Sequence, residues 1–171
     1  ILGPAMQGLG LTLLVAHLFV FYYGVASSIT PPVAVAAYAA ASIARAAPIK
    51  TATMALRVGL VKFAVPFVFA YYPVLLIVPE AFPEGAAGFN WPDFISIILR
   101  LMIFIYLISS TVIAFDQRRL PKWEMILRLV LAGGIMVTAP LVHWLAVVLA
   151  LLYIGWHQIS FGRETSAKAH P

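Results

Sequence analysis

The 171-residue chain is 63% hydrophobic and 10% charged, with a net charge of +5 and a mean hydropathy of +1.00. A soluble domain carries roughly a quarter charged residues, so the composition excludes an ordinary soluble fold and points to an all-α, polytopic helical membrane protein. Cysteine is absent, which excludes disulfides, thiol catalysis and cysteine-based metal sites.

The first residue is Ile1, and no charged stretch precedes the first apolar run. The sequence therefore reads as a piece of a longer protein rather than one opening with a secretory signal. The first apolar segment runs from about residue 11 to 44 and is interrupted at Ser27–Pro32, "SSITPP". Pro31 and Pro32 cannot donate backbone hydrogen bonds, and each pushes the residue before it out of the helical region. Carbonyls around Ala26–Ile29 then lose their partners beside the hydroxyls of Ser27, Ser28 and Thr30. Irregular backbone at membrane depth survives only where it is buried in protein or lines a cavity. Such a cluster of neutral oxygens, at the C-terminal dipole end of a half-helix, suits a monovalent cation. The start of the second half-helix, near Val33, would favour an anion. The alternative is a plain proline kink whose hydroxyls bond back to local carbonyls.

The second apolar segment runs from about residue 52 to 78. Its beginning, 49–62, is mildly amphipathic, with Lys50 and Arg57 on one face. Two readings stand: a stretch along the headgroup layer, or one long tilted span with snorkelling cations. An acidic loop, "PEAFPEGAAGFNWP", follows, and then a continuous third segment at 94–115. The fourth and fifth segments, 125–139 and 141–156, are separated by Pro140 and predict a tight hairpin.

Loop charge sets an expected orientation. The loop Glu80–Pro92 has no Lys or Arg, whereas "RAAPIK", "DQRRLPKWE" and the tail with Arg163 and Lys168 are basic. Basic loops stay on the cytoplasmic side, which puts 79–92 in the periplasm and the C-terminal tail in the cytoplasm. The same reading makes the basic clusters topology signals rather than nucleic-acid sites. Tyr71, Tyr72, Trp91, Trp123, Trp144, Trp156 and Phe161 fall near segment ends, where aromatic rings favour the headgroup layer.

All six acidic residues fall in or beside predicted loops, which argues against a carrier built on a buried carboxylate. His143 and His157 read as interfacial, and no histidine pair has the spacing of a transition-metal site. Arg100 is expected to snorkel or pair with Asp93, with a substrate carboxylate as the alternative. His17 either lines a substrate path or makes a structural hydrogen bond. Tyr38 and Ser42 face a polar pathway or a small-residue packing surface. No acid–base pair or nucleophile constellation appears, so the chain is not expected to be an enzyme.

"HLFVFYYG" (17–24), "SSITPPVA" (27–34) and "PFVFAYYPVLL" (66–76) together resemble the C-terminal part of the large membrane subunit of TRAP transporters, the tripartite ATP-independent periplasmic transporters. The branch with fused small and large membrane subunits is the most similar. The resemblance implies an inverted-repeat, elevator-type secondary transporter, driven by sodium, that imports organic anions, typically carboxylates, delivered by a periplasmic binding protein. It implies a bacterial inner-membrane location and partnership with the small-subunit region and first repeat of the permease. It places the break in the discontinuous helix of the second repeat, with Na+ held at Ser27, Thr30 and the backbone near Val33. His17, Ser28 and Tyr38 would border the substrate path, and no organic cofactor is implied. On this reading 1–78 ends the transport domain, with a broken helix (11–44) and a following helix (49–78). Residues 79–92 form the periplasmic loop, and 93–171 add C-terminal helices and the tail. A non-transporting membrane scaffold is the alternative.

Overall fold

The computed structural model describes the backbone of residues 2–116 and 118–169 and the side chains of 3–116 and 119–159. The described residues are all-α apart from one two-residue antiparallel pairing. It divides into two compact units, Ile1–Ile98 and Leu99–Pro171. Among the described residues, three helical stretches are long and apolar enough to cross a membrane: Pro48–Tyr71, Trp91–Ile113 and Pro140–Ile159. Phe21, Ile43, Val58, Leu141 and Leu152 are among the large apolar side chains left exposed, as a lipid-facing surface requires.

The first unit opens with α1 (Leu2–Gly8) and α2 (Leu13–Ala26). Thr12 caps α2, its hydroxyl accepting from the Val15 N–H at 3.4 Å. A 3₁₀ turn at Ser27–Ile29 and an irregular stretch separate α2 from α3 (Val35–Ile43). The expected break is therefore present, and the Pro31–Pro32 peptide is cis. Helix α3 ends in a Schellman motif. Arg45 is left-handed (φ 51°), and the Ala46 N–H reaches the Ala41 carbonyl at 2.9 Å. Pro48 then occupies the first turn of α4 (Pro48–Gly59), where its missing N–H costs nothing. Ala34, Ala37 and Ala52 are buried between α3 and α4. Their small side chains let the two backbones approach.

The second apolar segment is not one regular helix. After α4 it tightens into a 3₁₀ stretch, Leu60–Ala64, before α5 (Val65–Tyr71). Helix α5 lies on α2 through Val15 and Phe69, with Phe19 and Phe67 edge to face at 5.3 Å. Two further 3₁₀ turns, Pro73–Leu76 and Pro79–Ala81, lead toward α6 (Trp91–Ile113), within which the division between units falls.

In the second unit the chain leaves α6 through Ala114 (φ 55°) and forms strands β1 (Phe115–Asp116) and β2 (Arg118–Arg119). Helices α7 (Lys122–Met136) and α8 (Pro140–Ala169) form the hairpin expected around Pro140. Pro140 is the first residue of α8, not a lesion between two helices. Leu107, Leu131, Ile135, Val147 and Ala150 make the core. A Cβ on Gly134 would lie 3.0 Å from that of Ala146, so glycine sets the closeness of α7 and α8.

Candidate functional site

The break gathers Ser27, Ser28 and Thr30 within one turn. Each hydroxyl donates to a carbonyl of the preceding turn: Ser27 to Gly24 (2.6 Å), Ser28 to Val25 (2.8 Å) and Thr30 to Ala26 (2.9 Å). Back-bonding of this kind uses each hydroxyl proton and leaves the oxygen lone pairs directed elsewhere. The backbone is partly satisfied as well. The Thr30 N–H reaches the Ser27 carbonyl at 3.1 Å, and the Ala34 N–H reaches the Thr30 carbonyl at 3.0 Å. A carbonyl oxygen accepts two such partners, so both retain one acceptor position.

Tyr38 closes the far side of the break. Its hydroxyl crosses back from α3 to donate to the Pro32 carbonyl at 3.0 Å, while Ser42 bonds the Tyr38 carbonyl at 3.1 Å. Ala34 is fully buried in the left-handed region (φ 37°, ψ 36°) at the N-cap of α3. An alanine held there is strained, and neighbouring packing has to maintain it. Val33 is exposed beside it.

His17 is not brought to the break. Its Nδ1 lies 2.8 Å from the Leu13 carbonyl in its own helix, a local contact rather than a bond across the bundle. It borders a separate groove of about 610 Å³ with Leu14, Val78 and Glu80. Ten residues of helix, about 15 Å at 1.5 Å per residue, separate it from Ser27.

The structure adds residues at the break that the sequence reading left out. Gly59, at the end of α4, faces Ile29 so closely that a Cβ would sit 2.6 Å from the Ile29 Cδ1 atom. The Tyr23 hydroxyl donates to the Phe63 carbonyl at 2.7 Å, tying α2 to the 3₁₀ stretch. Lys62 shares a cavity of about 350 Å³ with Phe21, Tyr22, Val25 and Ala26, the last turns of α2. Two prolines near the second segment's end advertise irregularity there, but nothing local in the sequence marks Lys62 as a partner of α2.

A second polar centre lies in the second unit, and it corrects two expectations. Glu124 is fully buried and Asp116 nearly so (side chain 13% exposed), although both occupy what reads as a solvated loop. Arg128 is fully buried between them, its Nη2 2.8 Å from Asp116 Oδ2 and its Nη1 2.5 Å from Ser110 Oγ. Its guanidinium lies between the Tyr106 and Tyr153 rings, at 5.8 and 5.3 Å. Tyr106 donates to Asp116 at 2.6 Å and Tyr153 to Glu124 at 2.8 Å. Partial burial opposes ionisation of Asp116, but hydrogen bonds from Tyr106 and Arg128 and the Arg128 charge outweigh it, holding the carboxyl below its ordinary range. His157, expected at the interface, is buried in the same cluster.

Arg100 is the third correction. It neither snorkels nor pairs with Asp93, whose carboxylate accepts from Asn90 Nδ2 at 2.7 Å. Arg100 is buried, and its Nε and Nη2 donate to the Ile135 carbonyl at 3.0 and 2.6 Å. It thereby neutralises the C-terminal end of α7, where carbonyls lack helical partners and the dipole is negative. His143 is also buried rather than interfacial. Phe161, Arg163 and Lys168 lie outside the described side chains.

Comparison with known proteins bears on the first centre. Residues 1–84 match the family model of the tripartite ATP-independent periplasmic transporter, DctM component. The match covers 84 of the 171 residues. It contains the whole broken helix, α4 and α5, and stops before α6. No curated protein and no solved structure matches the chain. The break lies within the matched residues, and so do the three sequence motifs that carry the resemblance.

Proposed function

We propose that the DctM-like segment forms part of a sodium-coupled secondary transporter that imports organic anions delivered by a periplasmic binding protein. The observation that carries this reading is the coincidence of the family match with a helix broken at hydroxyl-bearing residues. Na+ would be held by the Ser27 carbonyl, the Thr30 hydroxyl or carbonyl oxygen and the backbone near Val33. Each Ser27 and Thr30 oxygen keeps an acceptor position after its internal hydrogen bonds are counted. Neutral oxygens at the end of a half-helix match the chemistry of a hard monovalent cation. The cavity beside Lys62 has the volume of a small-molecule site and a positive charge suited to a carboxylate. Partners would be the binding protein, the small-subunit region and first repeat of the permease, and the lipid of the bacterial inner membrane. The tail would be cytoplasmic.

Reconstitution of a permease containing this chain tests the reading. Uptake of an organic anion should require both an inward sodium gradient and the binding protein. Uptake that ignores the sodium gradient would overturn the sodium assignment.

One observation favours a second reading. The back-bonded hydroxyls of Ser27, Ser28 and Thr30 fit a dry kink in a non-transporting scaffold. That reading predicts a break indifferent to sodium.

A further inference from the structure

His157 is 1% exposed, and neither of its ring nitrogens has a hydrogen-bond partner among the described residues. Its surroundings are nonetheless strongly polar. Nδ1 faces Glu124 Oε2 at 3.5 Å, and Nε2 faces Asp116 Oδ2 at 3.8 Å. A neutral imidazole has a single N–H, so one of these nitrogens must turn a lone pair toward a carboxylate oxygen. An imidazolium has two N–H groups, and here each ring nitrogen has a carboxylate oxygen within 3.8 Å. The arrangement favours the protonated ring over the neutral one.

Among the described residues, the other groups around the ring come from α6, α7 and α8. From α8, Tyr153 lies with its ring centroid 6.1 Å from that of His157 and donates to Glu124. From α6, Tyr106 donates to Asp116, and from α7, Arg128 donates to the same Asp116 oxygen. The Arg128 charge opposes a second cation, while the two carboxylates favour one. Both tyrosines act as donors here, which keeps the carboxylates in their accepting form.

We infer that this cluster is a proton-binding site. A proton from water is taken up by His157, and the two ring N–H groups then draw α8 onto the β1–β2 turn through Asp116 and onto the first turn of α7 through Glu124. Release of the proton to water leaves one nitrogen lone pair against a carboxylate and loosens that joint. The ligand is a proton rather than a metal, because the carboxylates address different nitrogens of the ring. Among the described residues, no group of three His, Cys, Asp or Glu side chains could hold a metal ion.

Nitrogen-15 NMR of the full chain in lipid bilayers, labelled at histidine, reads the ring directly, and a His157→Gln sample identifies its signals. At about pH 5, in the acid part of the usual histidine range, both His157 nitrogens should be protonated despite burial. A singly protonated ring at that pH would overturn the proposal. In Glu124→Gln at the same pH the ratio of doubly to singly protonated His157 should fall about tenfold. An unchanged ratio would equally overturn the proposal, and the wild-type spectrum decides the question even if the variant does not fold.

Discussion

The two units interrupt apolar helix in opposite ways. At Ser27–Pro32 the interruption is neutral and local, because hydroxyls and carbonyls of neighbouring residues satisfy one another. In the second unit it is ionic and assembled at a distance, from α6, the β1–β2 turn, α7 and α8. A neutral break can exchange an internal hydrogen bond for an ion at small cost, since no charge is left behind. A buried ion pair cannot lose a member so easily, because the remaining charge has no water to turn to. The first arrangement suits a site that fills and empties with an ion, and the second a joint whose ionic side chains stay in place while a proton on His157 comes and goes.

The sharpest way to break this contrast is to remove the central cation of the joint. Arg128→Met should cost about 3–5 kcal/mol, the usual penalty for leaving a buried charge unpaired. Unfolding in detergent, followed by tryptophan fluorescence, would measure it. A loss no larger than that of a surface variant would show that the cluster is hydrated. At the break, Ala34→Val should cost about 1–3 kcal/mol, because a β-branched residue resists the left-handed conformation observed there. Ala34→Gly should be tolerated or mildly stabilising in the same assay, as glycine adopts that conformation freely.

Acid should separate the units more gently. Asp116 is held below its ordinary value of 3.8, so its contribution to stability is fully present above that value and is lost as pH falls through the lower folded value. The second unit should therefore lose this contribution progressively below about pH 4. In Asp116→Asn that part of the acid dependence should disappear, although the neutral-pH stability will also fall. An unaltered acid limb would mean that the Arg128 and Tyr106 contacts do not bias the carboxyl.

The contrast also explains what was legible in the sequence. Consecutive prolines and adjacent hydroxyls act on their own neighbours, so the interruption at 27–32 and the helices flanking it could be read from the string. The hairpin at Pro140 was legible for the same reason. The ionic joint was not, because Asp116 and Glu124 sit in "DQRRLPKWE", whose cations suggest a solvated topology loop. Only the turn through Ala114 and the two short strands folds Asp116 back toward the helices. A weaker signal was present. Tyr106 and Ser110, Glu124 and Arg128, and Tyr153 and His157 are each four apart, which places each pair on one face of its helix. Arg100 was misjudged because the carbonyls it caps lie 35 and 37 residues away, at the end of a helix whose position no spacing reveals.

The central claim, that the broken helix holds the coupling ion, is tested most directly by the sodium activation curve of uptake in Thr30→Ala. Loss of one ligand oxygen should raise the sodium concentration for half-maximal uptake about tenfold, the equivalent of 1.4 kcal/mol, while the maximal rate at saturating sodium is largely kept. A curve superimposable on that of the unaltered permease would contradict the account.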